Sequence, residues 1–285
     1  MIDPARIAVS CMLCCKNSEE IFMLSADLPS LLQTHRSIRQ FEDRPVDPKL
    51  IDQILETSLQ CSSSSGNLNM VSVIKTSDPE RKARLYELHF EQPMVLQAPL
   101  VLTFCADSHR TRQWLAQRGA RLNFGNLISW HVAAFDAIIL AQTTALALED
   151  EGLGICFMGT TLHSMGEIAD FLECPDHCLP VTSMVVGWPA EAPAQRDRLP
   201  AAAWIHSERY QQPTSNDIDR LFKEREVKGW NRYRSMGQDM VRAMDEKGIT
   251  SLAQYYTSEM KYFTPTFERD SEKLRELLER KGFLP

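Results

Sequence analysis

The sequence predicts a globular domain of mixed α and β structure, and three features carry that expectation. Short apolar or β-branched runs recur at residues 70–76, 100–105, 155–158 and 181–187, each bounded by Gly, Pro, Asp or Ser, as strands are. Stretches with helical spacing of apolar residues lie between and around these runs. One of them, 127–149, is apolar on most of its faces, the pattern of a central helix surrounded by other elements.

Taken in order, residues 27–34 and 47–58 read as amphipathic helices. The second has Leu50, Ile51, Ile54, Leu55 and Leu59 along one side, with Asp47-Pro48 as its start signal. The strand runs follow, separated by helices, and Gly152 stands where a C-terminal cap belongs after 127–149. From Gly187-Trp188-Pro189 to Trp204 the chain is rich in Pro and Ala and carries Arg196 and Arg198, which predicts a surface crossing. Beyond Gln212 it turns polar and helical, with 251–261 and 270–281 the clearest amphipathic pieces. The expected organisation is a disordered leader or extension over 1–26, then one domain over 27–285 with a helical C-terminal extension from about residue 213. Arg6 and the apolar run 7–15 faintly resemble a signal peptide, but a single charge and the lack of an A-x-A site argue against secretion. Met23 is the more attractive start.

The chain has 285 residues, 44% hydrophobic and 24% charged, enough to bury a large core. Its net charge of −7 and pI near 5.6 argue against nucleic acid as a partner, so any cationic patch must be local. The stretch 131–149 carries Asp136, Gln142, Thr143 and Thr144, and its longest unbroken apolar run is 137–141. A membrane span needs about twenty apolar residues, so no membrane partner is expected. The eight cysteines lack the spacing of a disulfide scaffold and read as reduced thiols in the cytoplasm. Cys11-x-x-Cys14 and Cys174-x3-Cys178, the latter enclosing His177, have no partner pair at zinc-finger spacing, and no metal site is expected. Gly152-Leu153-Gly154 meets Phe157 where a third glycine would sit in a dinucleotide-binding turn. There is no P-loop, H-E-x-x-H or G-x-S-x-G motif.

Two segments carry the positive signal. His35-Arg36-Ser37-Ile38-Arg39 sets two guanidinium groups beside a hydroxyl, a combination that suits a phosphate. About twenty residues later, Cys61-Ser62-Ser63-Ser64-Ser65-Gly66-Asn67-Leu68-Asn69 offers the hydroxyls and amides that a polar heterocycle needs. These segments, with Gln40-Phe41 and Pro45-Val46, resemble the opening of the FMN-dependent nitroreductase superfamily. Gln92, Phe135-Asp136-x5-Gln142, the block from Glu151 to Gly159, Leu179-Pro180, Val186-Gly187-Trp188-Pro189 and Arg196-Asp197-Arg198-Leu199-Pro200 follow in the family's order. The set is most similar to the oxygen-insensitive NADPH nitroreductase and NADPH-flavin oxidoreductase branch.

The resemblance implies an α+β nitroreductase-like fold, a mainly antiparallel sheet enclosed by helices, in an intertwined homodimer with FMN at the interface. It implies that Arg36, Ser37 and Arg198, with Arg196 beside them, hold the flavin phosphate, and that Arg39 lies against the N1 and O2 side of the ring. His35, Ser63, Ser65, Asn67 and Gln92 become candidate hydrogen-bond partners of FMN, although Gln92 could equally cap a helix after Pro93. Met158, Gly159 and Thr160 would bring a backbone N–H close to flavin N5. The expected activity is ping-pong hydride transfer from NADPH or NADH to nitroaromatic, quinone or flavin acceptors, with chemistry carried by the flavin rather than by a catalytic side chain. Residues 220–247 are locally basic, and Lys228, Arg232 and Arg234 are candidates for the 2′-phosphate of NADPH. The alternatives are a flavin-binding sensor or carrier with little turnover, a dehalogenating or flavin-fragmenting branch, and a thiol redox protein using Cys174 and Cys178.

Overall fold

A computed structural model describes residues 28–285; the leader, the Met23 start and Cys11, Cys14 and Cys15 lie outside the described residues. In chain order the helices and strands are α1 (Leu28–Thr34), α2 (Pro48–Ser58), β1 (Val71–Thr76), α3 (Pro79–Leu88), α4 (Met94–Gln97), β2 (Leu100–Asp107), α5 (His109–Gln117) and α6 (Leu127–Asp150). There follow β3 (Gly154–Met158), α7 (Met165–Phe171), β4 (Cys178–Gly187), α8 (Ser215–Arg234), α9 (Gln238–Glu246), α10 (Leu252–Thr257) and α11 (Thr264–Arg280).

Local chemistry explains several boundaries. Asp47 accepts from the Lys49 N–H at 2.9 Å ahead of α2, and Asp78 accepts from the Arg81 N–H at 2.8 Å ahead of α3, each followed by Pro in the first turn. At the end of α6 the Gly152 N–H donates to Glu149 O and the Leu153 N–H to Leu148 O, both at 3.0 Å, with Gly152 at φ +77°. This is the left-handed cap that glycine makes inexpensive. The amphipathic piece expected at 251–261 is shorter, closing as α10 at Thr257, and the last helix starts six residues before 270 because Pro265 sits in its first turn.

The four strands form one antiparallel sheet in the order β1-β2-β4-β3. β2 is buried along its whole length and forms the centre with β4. Helix α6 lies across all four strands, and its Leu140 and Leu148 meet Leu102, Phe104, Ile155 and Met184. Leu85, Val95, Ile168, Leu277 and Phe283 belong to a second apolar cluster with Val101, Cys105 and Val185 of β2 and β4. Helices α8 to α10 share a small core of Met244, Ile249, Leu252 and Tyr255, whereas α11 sends Leu277 and Leu278 into the main core.

One sequence expectation needs correction. Helix α6 is central but not surrounded: Ser129, Ala133, Asp136, Ala137, Leu140, Ala141, Thr144, Ala145 and Leu148 are buried, while Ile128, His131, Phe135, Ile138 and Gln142 are exposed. The exposed set recurs every three or four residues and forms a single stripe. By length and composition α6 is the one described helix able to cross a membrane; in the fold, its buried face, Asp136 included, is against the sheet side.

Candidate active site

The arginine block runs alongside the free edge of β3. Ser37 bridges to Ile155, the Ile38 N–H donates to Ile155 O at 2.8 Å, and the Glu42 N–H donates to Trp188 O at 2.9 Å. Ile38 and Phe41 sink into the core. They can do so because Gly154 and Gly187 face each other across β3 and β4. A Cβ on Gly154 would lie 2.8 Å from the Ile38 side chain, and one on Gly187 would lie 2.6 Å from Pro99 and 2.9 Å from Phe41. Two facing glycines thus make the bed in which the segment rests.

With Ile38 turned inward, Ser37 and Arg39 point the other way. They meet the crossing segment after β4 in a cavity of about 240 Å³ lined by His35, Arg36, Ser37, Arg39, Pro193, Ala194, Arg196 and Arg198. Glu191 fixes the approach, its carboxylate accepting from the Arg39 N–H at 2.6 Å and the Gln40 N–H at 3.1 Å. Arg39 also donates from Nη1 to Ser37 O at 3.3 Å, and Arg198 from Nη1 to Arg196 O and Asp197 O at 3.2 Å. Among the described residues none of the four guanidinium groups is in an ion pair. Asp197, between two of them, instead turns its carboxylate to Arg225 Nε at 2.9 Å and Arg232 at 3.8 Å. Burial raises the Asp197 pKa, but these two arginines outweigh it and hold the carboxyl below its ordinary value. A larger cavity of about 390 Å³ between α7 and α11 has Glu167, Asp170, Asp270 and Glu276 on its walls and lacks this convergence of cations.

His35 is placed partly by α6, its Nδ1 lying 2.7 Å from Glu149 Oε1. Burial pushes the Glu149 carboxyl up, and His35 opposes that shift. The Cys156 thiol is likewise raised by burial, with the Arg39 charge and the Ser37 hydroxyl acting against it.

β3 connects this cavity to a second group of candidates. Gly159 lies four positions beyond Ile155, the residue beside Ser37, about 13 Å of extended chain. There the chain enters a 3-10 turn, Gly159–Leu162, with Gly159 exposed and open space where its Cβ would be. Thr160 Oγ1 lies 2.8 Å from His89 Nδ1 and accepts from Gln92 Nε2 at 3.4 Å. Thr161 accepts from the Ser183 N–H at 3.0 Å and donates to Met158 O at 2.8 Å. The turn is therefore held from three sides. Met158 is buried, and Gln92 makes no side-chain cap on α4. His89 escaped sequence analysis, because only folding brings it to Thr160. It is fully buried, its Nε2 has no partner, and burial lowers its pKa to about 4.

The serine run is positioned by Asp136, a buried carboxylate on α6. Its Oδ1 accepts from the Ser64 N–H at 2.7 Å and its Oδ2 from the Met70 N–H at 2.9 Å. Ser63 reaches the same Oδ1 at 3.4 Å, while Ser65 and Asn67 are exposed, Asn67 at φ +53°. None of Ser63, Ser65 or Asn67 lines the arginine cavity. Asp136 and Glu149 anchor the two segments to α6 thirteen residues apart, about 20 Å along the helix. Within one chain the two expected walls of the site do not meet.

The three α8 residues proposed for NADPH lie elsewhere and are already paired. Lys228 bonds Glu224, Arg232 faces Asp197, and Arg234 lies 3.5 Å from Asp245. None of the three lines the arginine cavity.

An α+β fold with an arginine-lined cavity beside a sheet edge describes the class of protein, and comparison with known proteins identifies the family. Residues 32–188 match the model of the nitroreductase family, and the chain belongs to that family. It is 34% identical to the FMN reductase [NAD(P)H] of Bacillus subtilis over 256 residues, 88% of this chain and 96% of that protein. A crystallised Bacteroides fragilis protein is 37% identical, with a TM-score of 0.80 over 90% of this chain and 100% of its own. The NfrA1 nitroreductase of B. subtilis is 27% identical, with a TM-score of 0.77 over 90% of this chain and 99% of its own.

Proposed function

We propose that this protein is an FMN-dependent oxidoreductase that takes electrons from NADPH or NADH and passes them to small acceptors such as nitroaromatics, quinones or flavins. The observation that carries this reading is the convergence of Arg36, Arg39, Arg196 and Arg198, with no carboxylate of the described residues in ion-pair reach, on one cavity of an acidic protein. Converging cations repel one another unless an anion joins them, and arginine forks match phosphate oxygens in pairs. The residues present therefore fit a phosphate-bearing cofactor.

In this assignment Arg36, Arg196, Arg198 and the Ser37 hydroxyl hold the FMN phosphate. Arg39 shares their cavity, so the ring-side role expected for it requires its guanidinium to leave Ser37 O. Gly159 allows close approach to the ring, and Thr160, fixed by His89 and Gln92, keeps that turn rigid. Bound FMN supplies hydride acceptance and donation at N5. The chain contributes position, charge and exclusion of water.

The serine wall is supplied by a second copy. The α6 stripe of Ile128, Phe135 and Ile138 offers the apolar surface for that contact, and the separation along α6 leaves Ser63, Ser65 and Asn67 free to face a partner's arginine pocket. The homodimer, a cytoplasmic location, and NADPH recognition by α8 belong to the same proposal. Of the three α8 candidates Lys228 is held least, because its Glu224 pair is exposed and such pairs contribute little.

The test is the visible spectrum of the purified protein before and after anaerobic NADPH, then NADH. A bound flavin band that bleaches and returns with a quinone or nitroaromatic is the expected result. A band that stays oxidised would make the protein a carrier or sensor. No flavin after incubation with FMN would dismiss the arginine cavity as its site.

A further inference from the structure

A second cluster involves none of the residues assigned to the flavin. Cys105 of β2, Cys178 at the start of β4 and Cys174 in the loop between α7 and β4 bring their sulfur atoms within 4.8 Å of one another. All three are buried, and they are the one such group of potential ligands among the described residues. We propose that Cys105, Cys174 and Cys178 form a binding site for a thiophilic divalent metal ion of the zinc type.

Three features of the backbone bring the sulfurs together. The β2–β4 register shifts between Phe104 and Cys105, and such an irregularity re-aims the side chain next to it. Helix α7 ends with Glu173 in the left-handed region at φ +56°, its N–H donating to Asp170 O at 3.2 Å and the Cys174 N–H to Ala169 O at 2.8 Å. His177, at φ +62°, precedes Cys178, whose N–H closes a turn onto Pro175 O at 3.2 Å. Two non-glycine residues in that region within one short loop are a local cost that the surroundings must offset.

Charge decides the valence. Lys281 is buried, donates from Nζ to Cys174 O at 2.6 Å and forms no ion pair among the described residues. A buried ammonium without an anion is unfavourable. Three thiolates around a divalent ion carry one net negative charge, which Lys281 cancels. A monovalent ion would leave a negative charge in the core, and a trivalent one a positive charge. Asp107, the nearby carboxylate, is turned to Ser72 and Arg110. Thiolates about 2.3 Å from zinc sit about 3.8 Å apart, so the sulfurs need to contract by no more than about 1 Å. The His177 ring packs edge-on against Phe283, and the site is built from the three thiolates.

The probe is cadmium, whose bonds to thiolates absorb in the ultraviolet in proportion to their number, with zinc retention read separately by elemental analysis. Both are measured on the reduced full chain carrying Cys11→Ser, Cys14→Ser and Cys15→Ser, so that those thiols contribute nothing. The expected result is one ion per chain with absorbance for three thiolates, weakened at least about a hundredfold in Cys105→Ser and about tenfold in Lys281→Met. The thiolate count in the parent chain does not depend on any cluster variant folding. Absence of a stoichiometric ion, fewer than three thiolates per ion, or isolation of a disulfide within the cluster in the untreated protein would overturn the proposal.

Discussion

Two basic regions of this molecule use the same side chains in opposite circumstances. On α8, Arg225 and Arg232 meet Asp197, Arg234 meets Asp245 and Lys228 meets Glu224, so the local excess of positive charge is largely spent inside the protein. Around the cavity, Arg36, Arg39, Arg196 and Arg198 meet no charged partner among the described residues. Asp197 separates the two, facing α8 while the arginines on either side face the cavity. A count of basic residues marks both regions as anion sites, and partner geometry distinguishes them.

The largest effect should come from Arg36→Ala combined with Arg198→Ala. Each charged contact to a phosphate contributes about 1.5–3 kcal/mol, so FMN affinity should fall by several hundredfold or more, read by titration and by flavin retained through desalting. Retention equal to the parent would break the distinction between paired and unpaired cations.

Burial gives a second contrast, because His89 is held neutral by its surroundings whereas Asp197 is held charged by its partners. With the His89 pKa lowered to about 4 and an unfolded value near 6.5, the unfolded chain binds more protons between those values. Stability should be full above about pH 6.5 and fall as pH drops toward 4, by on the order of 3 kcal/mol. Denaturant melts across that window should be flatter for His89→Gln; an unchanged slope would assign the acid sensitivity elsewhere. Asp197 has a lowered pKa, so its contribution is present above about pH 3.9 and lost as pH falls through the lower folded value. Asp197→Asn should cost about 1–2 kcal/mol in thermal unfolding by releasing Arg225, while leaving FMN retention intact. The smallest effect belongs to Lys228→Ala, with stability hardly changed and FMN binding unchanged. A rise in KM for NADPH but not NADH would single it out as the 2′-phosphate contact, and no change in either would remove it.

What could be read from the sequence was local. Asp47-Pro48 and Gly152 act on neighbouring N–H and C=O groups, and the four strand runs carry their own apolar pattern, so these elements fell within a few residues of their expected places. The arginine block was legible for the same reason, as a short string with one chemistry. Asp136 was visible only as part of a family signature, because its work is to meet N–H groups more than sixty residues away. His89 and Cys105 gave no signal at all, since their partners are set by chain crossing and by strand register. The serine run was legible as a polar string, but not its tie to α6, where the Ser63 hydroxyl and the Ser64 N–H both reach Asp136.

The facing pair Gly154 and Gly187 places the weak point of the pocket away from its charges. An arginine of the cavity can be replaced with little effect on the bed beneath it, because its side chain points out of the core. A single methyl group on Gly154 meets Ile38, and one on Gly187 meets Pro99 and Phe41, so either must shift the packing beneath the arginine segment. The pocket is thus sensitive to mutation at two residues that do not line it.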